Sequence, residues 1–556
     1  MAKRQLYLFS AAITGLGLLL AACGNTSSAS STKQELNLVQ DSDPTTLDVN
    51  DERNMTEVNV MNATEEGLFT VESHNGKDKL VATGAKSYTV SDDGLTYTFK
   101  LRNSKWSDGK AVTAQQYVDS ILRELNPKNA FAHASSVYAI KGAQAYNTGK
   151  AAAKAVGVSA PDSHTLKIQL AYKDSYFLNE ISSVYFYPVC LDLIKKVGNK
   201  AWKTDYKAQV SNGPFKYQSW KKNDKLVLVK NDKYWNAKQV KLQKVTYTTT
   251  TKASTILSLM QSGQLDAISA SGATAGDFDQ LAKSNKITKV AQPGAKTTFL
   301  VFNQHNGGHS GLFKNAKIRE AVSLAVDRSS YNKGVSDGKD TPTDNVVPKA
   351  ATVAGKNFYQ YTGDVLAAAK QQYNTDAKLQ ALFKAGLKEL GKSDDLDQVK
   401  LVYLADTSAA SDSGTVIKQQ LEKHLGIHVQ VKVTADDTAF SATRDKNAYD
   451  IYTLSWSSAT AQNALALWVS SNGFQRYFGG YDSAAYDKLF DQLQTAKNDD
   501  ELLKTFAALQ TQLVAKDFGA APLLNSKTQI YISKRVKNLQ TPVFNQQFNY
   551  TYAYKK

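Results

Sequence analysis

The sequence predicts a mixed α/β fold, and three observations carry that reading. Runs such as Tyr97-Thr98-Phe99-Lys100-Leu101, Leu166-Lys167-Ile168-Gln169-Leu170 and Leu226-Val227-Leu228-Val229-Lys230 read as strands. Ala316 to Val326 and Thr415 to Leu425 carry helical spacing. The second of these helices stops at Gly426, and the alternating run Ile427-His428-Val429-Gln430-Val431-Lys432-Val433 follows at once. A helix–glycine–strand unit of this kind is typical of α/β domains, and strands mix with helices along the whole chain. A chain of 556 residues divides into two or three domains. No repeat and no long low-complexity linker interrupts it beyond the N-terminal region, so the domains are expected to be interleaved.

The chain opens with Lys3 and Arg4, a mostly apolar run from Leu6 to Leu20, and then Leu20-Ala21-Ala22-Cys23. This is the order of a secretory signal: positive start, short apolar stretch, small residues at the cleavage site. The apolar run is short of the ~20 residues that span a bilayer. Small residues directly before a cysteine resemble the lipobox of bacterial lipoproteins, which implies cleavage after residue 22 and a lipid on Cys23. Gly24 to Lys33 are small and polar, the composition of a flexible tether, so residues 23–34 are expected to link the anchor to a body starting near Glu35.

Composition narrows the function classes. The chain has two cysteines, and a lipidated Cys23 leaves Cys190 alone, so stability must come from buried cores. The formal charge is +16, and +14 once Lys3 and Arg4 leave with the signal. The lysines are spread along the chain without a compact basic run, so no nucleic-acid partner is expected; a surface facing an anionic cell envelope accounts for the balance.

Several segments carry a resemblance. They are Asp43-Pro44-Thr45-Thr46-Leu47-Asp48, Glu66-Gly67-Leu68-Phe69, and Ser91-Asp92-Asp93-Gly94-Leu95-Thr96 through Arg102 and Trp106-Ser107-Asp108-Gly109-Lys110. Further on come Asn212-Gly213-Pro214-Phe215 with Trp220, Lys230-Asn231-Asp232-Lys233-Tyr234-Trp235, Gln261 to Asp266 and Lys317 to Arg328. In this order they resemble the extracellular solute-binding proteins of family 5, the oligopeptide-, dipeptide- and nickel-binding lipoproteins of ABC importers. Each segment also has a plain physical role. Asp93-Gly94 is a turn between strands, and Trp106, Trp220 and Trp235 are expected in packing.

The resemblance implies an α/β, bilobed periplasmic-binding-protein-like fold of the cluster C type, with an extra inserted domain. Residues 35–75, 212–302 and 527–556 would form lobe I, 76–211 the inserted domain and 303–526 lobe II. The ligand would lie between the lobes, which close on it by a hinge. The function implied is capture of extracellular oligopeptides and delivery to an ABC permease, by a monomer lipid-anchored on the extracellular face of the cell membrane, with no cofactor and no catalysis. In peptide-binding relatives an extended peptide pairs its backbone with strand-like segments on both sides of the cleft. One side puts Glu57, Val58 and Asn59 in the frame. The other is Tyr449 to Ser457, with Tyr452, Ser455, Trp456 and Ser457 as contacts. Many relatives follow that tryptophan with an aspartate for the peptide's α-ammonium, whereas this chain reads Trp456-Ser457-Ser458-Ala459-Thr460. Burying an ammonium without a counter-charge is costly. Three alternatives stay open: backbone-held longer or blocked peptides, a different solute, or a non-transport surface role in sensing, secretion or adhesion on the same fold.

Other chemistry is weaker. His305 and His309 flank a glycine loop, while His424 and His428 are split by Gly426, so no metal site is expected. Gly308-His309-Ser310-Gly311 falls short of a nucleophile elbow, and Gly334 to Asp340 falls short of a phosphate loop.

Overall fold

The computed structural model describes residues 33–556, apart from 53, 75–76, 175, 271–273, 354–355, 407–408, 459, 494–495, 497 and 545. The signal, the tether up to residue 32, Cys23 and Ala459 therefore lie outside the described residues. Gln34–Lys556 form one compact unit. Among the described residues no helix is long and apolar enough to cross a membrane.

The alternating runs become strands close to their expected bounds, at Thr96–Leu101, Thr165–Gln169, Lys225–Lys230 and His428–Val433. Three sheets organise them. In the first, Glu35–Gln40 pairs in parallel with Lys244–Thr249, followed by antiparallel Lys225–Lys230 and Phe215–Lys221. Its inward side chains Leu36, Leu38, Leu226, Leu228 and Val245 bury together with Phe215 and Tyr550. In the second, Ala85–Val90, Thr96–Leu101, Thr165–Gln169 and Val158–Asp162 form an antiparallel sheet. The Asp93-Gly94 pair turns the chain between its first two strands, with Gly94 at φ 70° and the Asp93 carboxylate accepting from Leu95 N–H. A helix, Ala114–Leu125, packs on this sheet behind a capping box of Thr113 and Gln116. The apolar side chains between residues 49 and 210 make a core of their own here.

The third sheet runs in the order Ala267–Ala270, Ala520–Ser533, Ile287–Phe302, Ile451–Ser457, Lys400–Ala405, His428–Val433. Its central strands are covered on both faces. Leu300, Phe302, Leu401, Tyr403 and Ile451 point into one core with Ile318, Leu382 and Ile417, whereas Phe299, Val301, Val402, Leu404 and Tyr452 point into another with Trp468, Tyr486 and Phe506. Double coverage explains why Leu401 to Ala405 are buried without a break. The expected helix at 316 is Ala316–Ala325, N-capped by the Asn315 side chain; the one at 415 runs Ala409–Leu425 and ends at Gly426, φ 69°.

Two long strands tie the cores together. Residues 287–293 of the first pair with 527–533 of the second, beside Ala267–Ala270; residues 297–301 pair with 520–525, beside Ile451–Ser457. Register breaks fall between Pro293 and Thr297 and between Thr298 and Phe299, so the ribbon bends where it passes from one core to the next.

The segments that carried the resemblance meet as joints of the fold. Glu66 accepts from Tyr234 Oη at 2.5 Å and Trp235 Nε1 at 2.6 Å, while Asn212 exchanges hydrogen bonds with the Glu66 backbone at 3.0 and 2.8 Å. Gly67 is glycine because a Cβ there would stand 2.4 Å from the Tyr187 ring. Trp106 is buried and donates to Gln116, and Arg102 stacks over Trp235 at 4.4 Å. Cys190 is free and buried.

Candidate functional site

The strand Ile451–Ser457 is set in place by the residue before it. Asp450 is fully buried; its Oδ1 accepts from Ser310 N–H and Oγ at 2.8 Å each, and its Oδ2 from Val402 N–H at 2.8 Å. Burial pushes this carboxyl up, and those donors pull it back. Gly308 makes room, since a Cβ there would lie 2.8 Å from Asp450 Oδ1. The Gly308–Gly311 loop therefore holds a strand anchor, with the Ser310 hydroxyl spent on Asp450.

From this anchor the backbone alternates. Asn303 N–H donates to Asp450 O and Ser458 N–H to Ala295 O, so the even residues of this stretch exchange hydrogen bonds with the long strand 287–302. The odd residues, Thr453, Ser455 and Ser457, aim their N–H and C=O groups at the opposite edge. The hydroxyls of Ser455 and Thr298 meet at 2.7 Å, as side chains do across a non-hydrogen-bonded pair. On that opposite edge the neighbouring strand 400–405 pairs only at Ile451, opposite Tyr403. Beyond it, among the described residues, no strand covers Ser455 and Ser457, and both are exposed. The result is an open strand edge with two outward-aimed backbone positions.

The side chains sort differently. Trp456 is half-buried, edge-on to Phe474 at 5.4 Å and Phe478 at 5.5 Å, so it floors the edge with an apolar surface. Tyr452 is buried, edge-on to Tyr449 and Phe440, and its hydroxyl donates to Tyr477 O; it belongs to the core below the edge. Among the described residues 451–458 there is no carboxylate.

Residues 57–59 are not extended. They lie in the helix Met55–Thr64, nucleated by the Asn54 side chain accepting from Glu57 N–H at 3.2 Å. Glu57 is fully buried and accepts from Thr45 N–H at 2.9 Å and Thr45 Oγ1 at 2.5 Å, tying the early Asp43–Asp48 segment to the helix. Val58 packs against the core of residues 49–210. Asn59 exchanges hydrogen bonds with Gln547 at 2.8 and 3.4 Å. The backbone of 57–59 is thus committed to the helix.

Asn59 nevertheless lines a cavity of about 300 Å³ with Gln40, Asp41, Met55, Gln292 and Gln546. Among the described residues of this lining, Asp41 alone is charged. Gln292 is four residues before Lys296, which pairs with Ser457; at a rise of about 3.3 Å per residue, the bent segment between them spans at most ~13 Å. Gln40, Asp41, Met55, Gln292 and Gln546 were not legible as a group, because they come from four separate stretches of chain.

The histidines are engaged separately. His424 Nδ1 lies 2.7 Å from Asp376, and His428 Nε2 3.0 Å from Asp397.

The chain matches the model of the bacterial extracellular solute-binding proteins, family 5, over residues 79–476. It is 31% identical to the oligopeptide-binding protein OppA of Bacillus subtilis, over 78% of this chain and 77% of that protein. It is 28% identical to a dipeptide-binding protein of Lactococcus lactis, over 92% and 93% of the two chains. Among solved structures, the substrate-binding domain of a Bacillus anthracis oligopeptide ABC transporter superposes with a TM-score of 0.73 at 28% identity, over 95% of this chain and 99% of that one. Listeria monocytogenes OppA bound to peptide superposes with a TM-score of 0.72 at 27% identity, over 95% and 100%. The expected α/β solute-binding fold is borne out across nearly the whole chain, and the protein belongs to the bacterial extracellular solute-binding proteins of family 5.

Proposed function

We propose that this protein captures oligopeptides in a cleft between two lobes and delivers them to an ABC permease, as a monomer held on the extracellular face of the cell membrane by lipid on Cys23. The observation that carries the reading is the open edge at Ser455 and Ser457, whose backbone groups suit an added peptide strand. Main-chain pairing gives affinity with little regard to sequence, the property a general peptide importer needs. The relatives named above as oligopeptide- and dipeptide-binding proteins support the same ligand class. The ligand pairs along 455–457, and the cavity beside Asn59 receives a side chain.

In this reading lobe I is built from 35–75, 212–302 and 527–556, lobe II from 303–526, and 76–211 is the inserted domain. The bent ribbon of the two long strands is the hinge. Contacts that cross between the bodies favour the closed state: Tyr176 donates to Thr352 O at 3.0 Å and sets its ring edge-on to Phe506. The protein binds and releases its ligand without a cofactor and without consuming it. With no carboxylate among the described residues 451–458, affinity does not depend on a free peptide N-terminus.

The test is mass spectrometry of what co-purifies with the mature protein, beside thermal shift with peptide pools in native and N-acetylated form. Peptides released on denaturation, with equal stabilisation by both forms, support the reading; a hundredfold excess over Kd corresponds to about 2.7 kcal/mol. An empty cleft and no shift with any peptide would overturn it in favour of another solute or a non-transport role.

A further inference from the structure

The described fold begins, at Gln34, on a face crowded with cations. Gln34 exchanges hydrogen bonds with the Lys555 backbone at 2.9 and 3.0 Å, and its carbonyl accepts from Gln243 N–H at 2.7 Å. Strand Tyr554–Lys555 pairs with Val536–Lys537, Lys241 sits 4.3 Å over the Tyr554 ring, and Lys534 N–H donates to Lys286 O at 3.0 Å. Two cations here are matched: Lys244 by Glu35 at 2.9 Å and Lys555 by the buried Asp266 at 2.7 Å. Among the described residues, Lys241, Lys286, Lys534, Arg535 and Lys537 remain around the same edge without a carboxylate of their own; Arg535 lies 3.9 Å from the Asp266 already held by Lys555. Lys241, Lys286, Lys534 and Arg535 are exposed, and Lys537 is half-exposed.

We propose that this face docks on an anionic membrane surface. The inference rests on the lipid-anchor reading, which gives it its location: the tether joins the fold here, so this is the part of the fold the anchor brings nearest the bilayer. Each Lys or Arg close to an anionic leaflet strengthens partitioning roughly fivefold, with a reach of one Debye length. A flexible tether alone leaves the body free to turn; five cations at its root hold this face down.

The chain from Gln34 forms one compact unit with its own cores, so residues 34–556 can be tested without the anchor. Co-sedimentation at low salt with phosphatidylglycerol-containing vesicles is compared with pure phosphatidylcholine vesicles. The proposal expects binding to the anionic vesicles only, lost at high salt. It expects at least a tenfold loss in Lys241→Glu/Lys537→Glu and in Lys534→Glu/Arg535→Glu, while Lys384→Glu/Lys388→Glu, an exposed pair on the helix Asp376–Glu389, binds as the parent does. Equal binding to both vesicles, or an equal loss in the control pair, would overturn it. So would tighter binding to soluble polyphosphate than to vesicles at matched charge, which would assign the face to an anionic polymer. Because the tested chain carries no lipid, none of these outcomes bears on Cys23, whose lipidation is read separately from the mass of the mature N-terminal peptide.

Discussion

Glu57 shows how a residue picked out for a cleft can belong to the frame instead. Its carboxylate is enclosed and takes two hydrogen bonds from Thr45, so Glu57→Ala is expected to destabilise the protein by about 1–3 kcal/mol, leaving two donors without their acceptor. Chemical denaturation checks this, and peptide Kd on the still-folded fraction should stay within a factor of two or three. Trp456 is the converse case. It is half-buried beneath the open edge, and Trp456→Ala is expected to weaken peptide binding by roughly tenfold in calorimetry, since an aromatic floor contributes about 1–2 kcal/mol with its apolar area.

At the scale of elements, the strand Ile451–Ser457 separates backbone positions by parity. Leu454 aims its N–H at Phe299, whereas Ser457 aims outward. Leu454→Pro is therefore expected to lower the melting temperature, and Ser457→Pro to leave it unchanged while weakening peptide binding by up to tenfold, the loss of one hydrogen bond. Circular dichroism melts and calorimetry on the two variants decide this. The sequence made elements legible where one face is buried: the alternating runs and the helix ending at Gly426 fall within a residue or two of their expected bounds, except the start of that helix at Ala409. It hid the helix Met55–Thr64, whose apolar residues follow no clean period and whose start depends on the Asn54 cap. The strand edge was readable as a segment, but its openness was not, because that depends on where residues 400–405 stop pairing. The cavity was unreadable for a similar reason, being assembled from pieces that only the tertiary fold brings together.

Across the whole molecule, buried carboxyls set the response to pH. Burial raises Glu52 and Glu66 to about 7 and Glu124 to about 8 from an ordinary 4.5, opposed at Glu66 by Tyr234 and Trp235 and at Glu124 by Asn50. The folded state then holds protons that the unfolded chain has released, so stability falls as pH rises from about 4.5 through 7 to 8. His133, lowered by burial, works in the opposite sense below its ordinary value of 6.5, whereas Glu65 and Glu180, which burial also raises well above the ordinary 4.5, act in the same sense as the three. The melting temperature is expected to be several degrees higher at pH 5.5 than at pH 8.5, and a scanning calorimetry series that is flat or rises over that interval would contradict this assignment.

The central claim is that peptide adds as a strand to the outward edge of residues 455–457, and hydrogen–deuterium exchange with and without a bound peptide reads it most directly. The account predicts that amides at Ser455 and Ser457 slow markedly on binding, while Leu454 and Trp456, already bonded to the long strand, change little. Tight peptide binding with no change in exchange at Ser455 and Ser457 would contradict it.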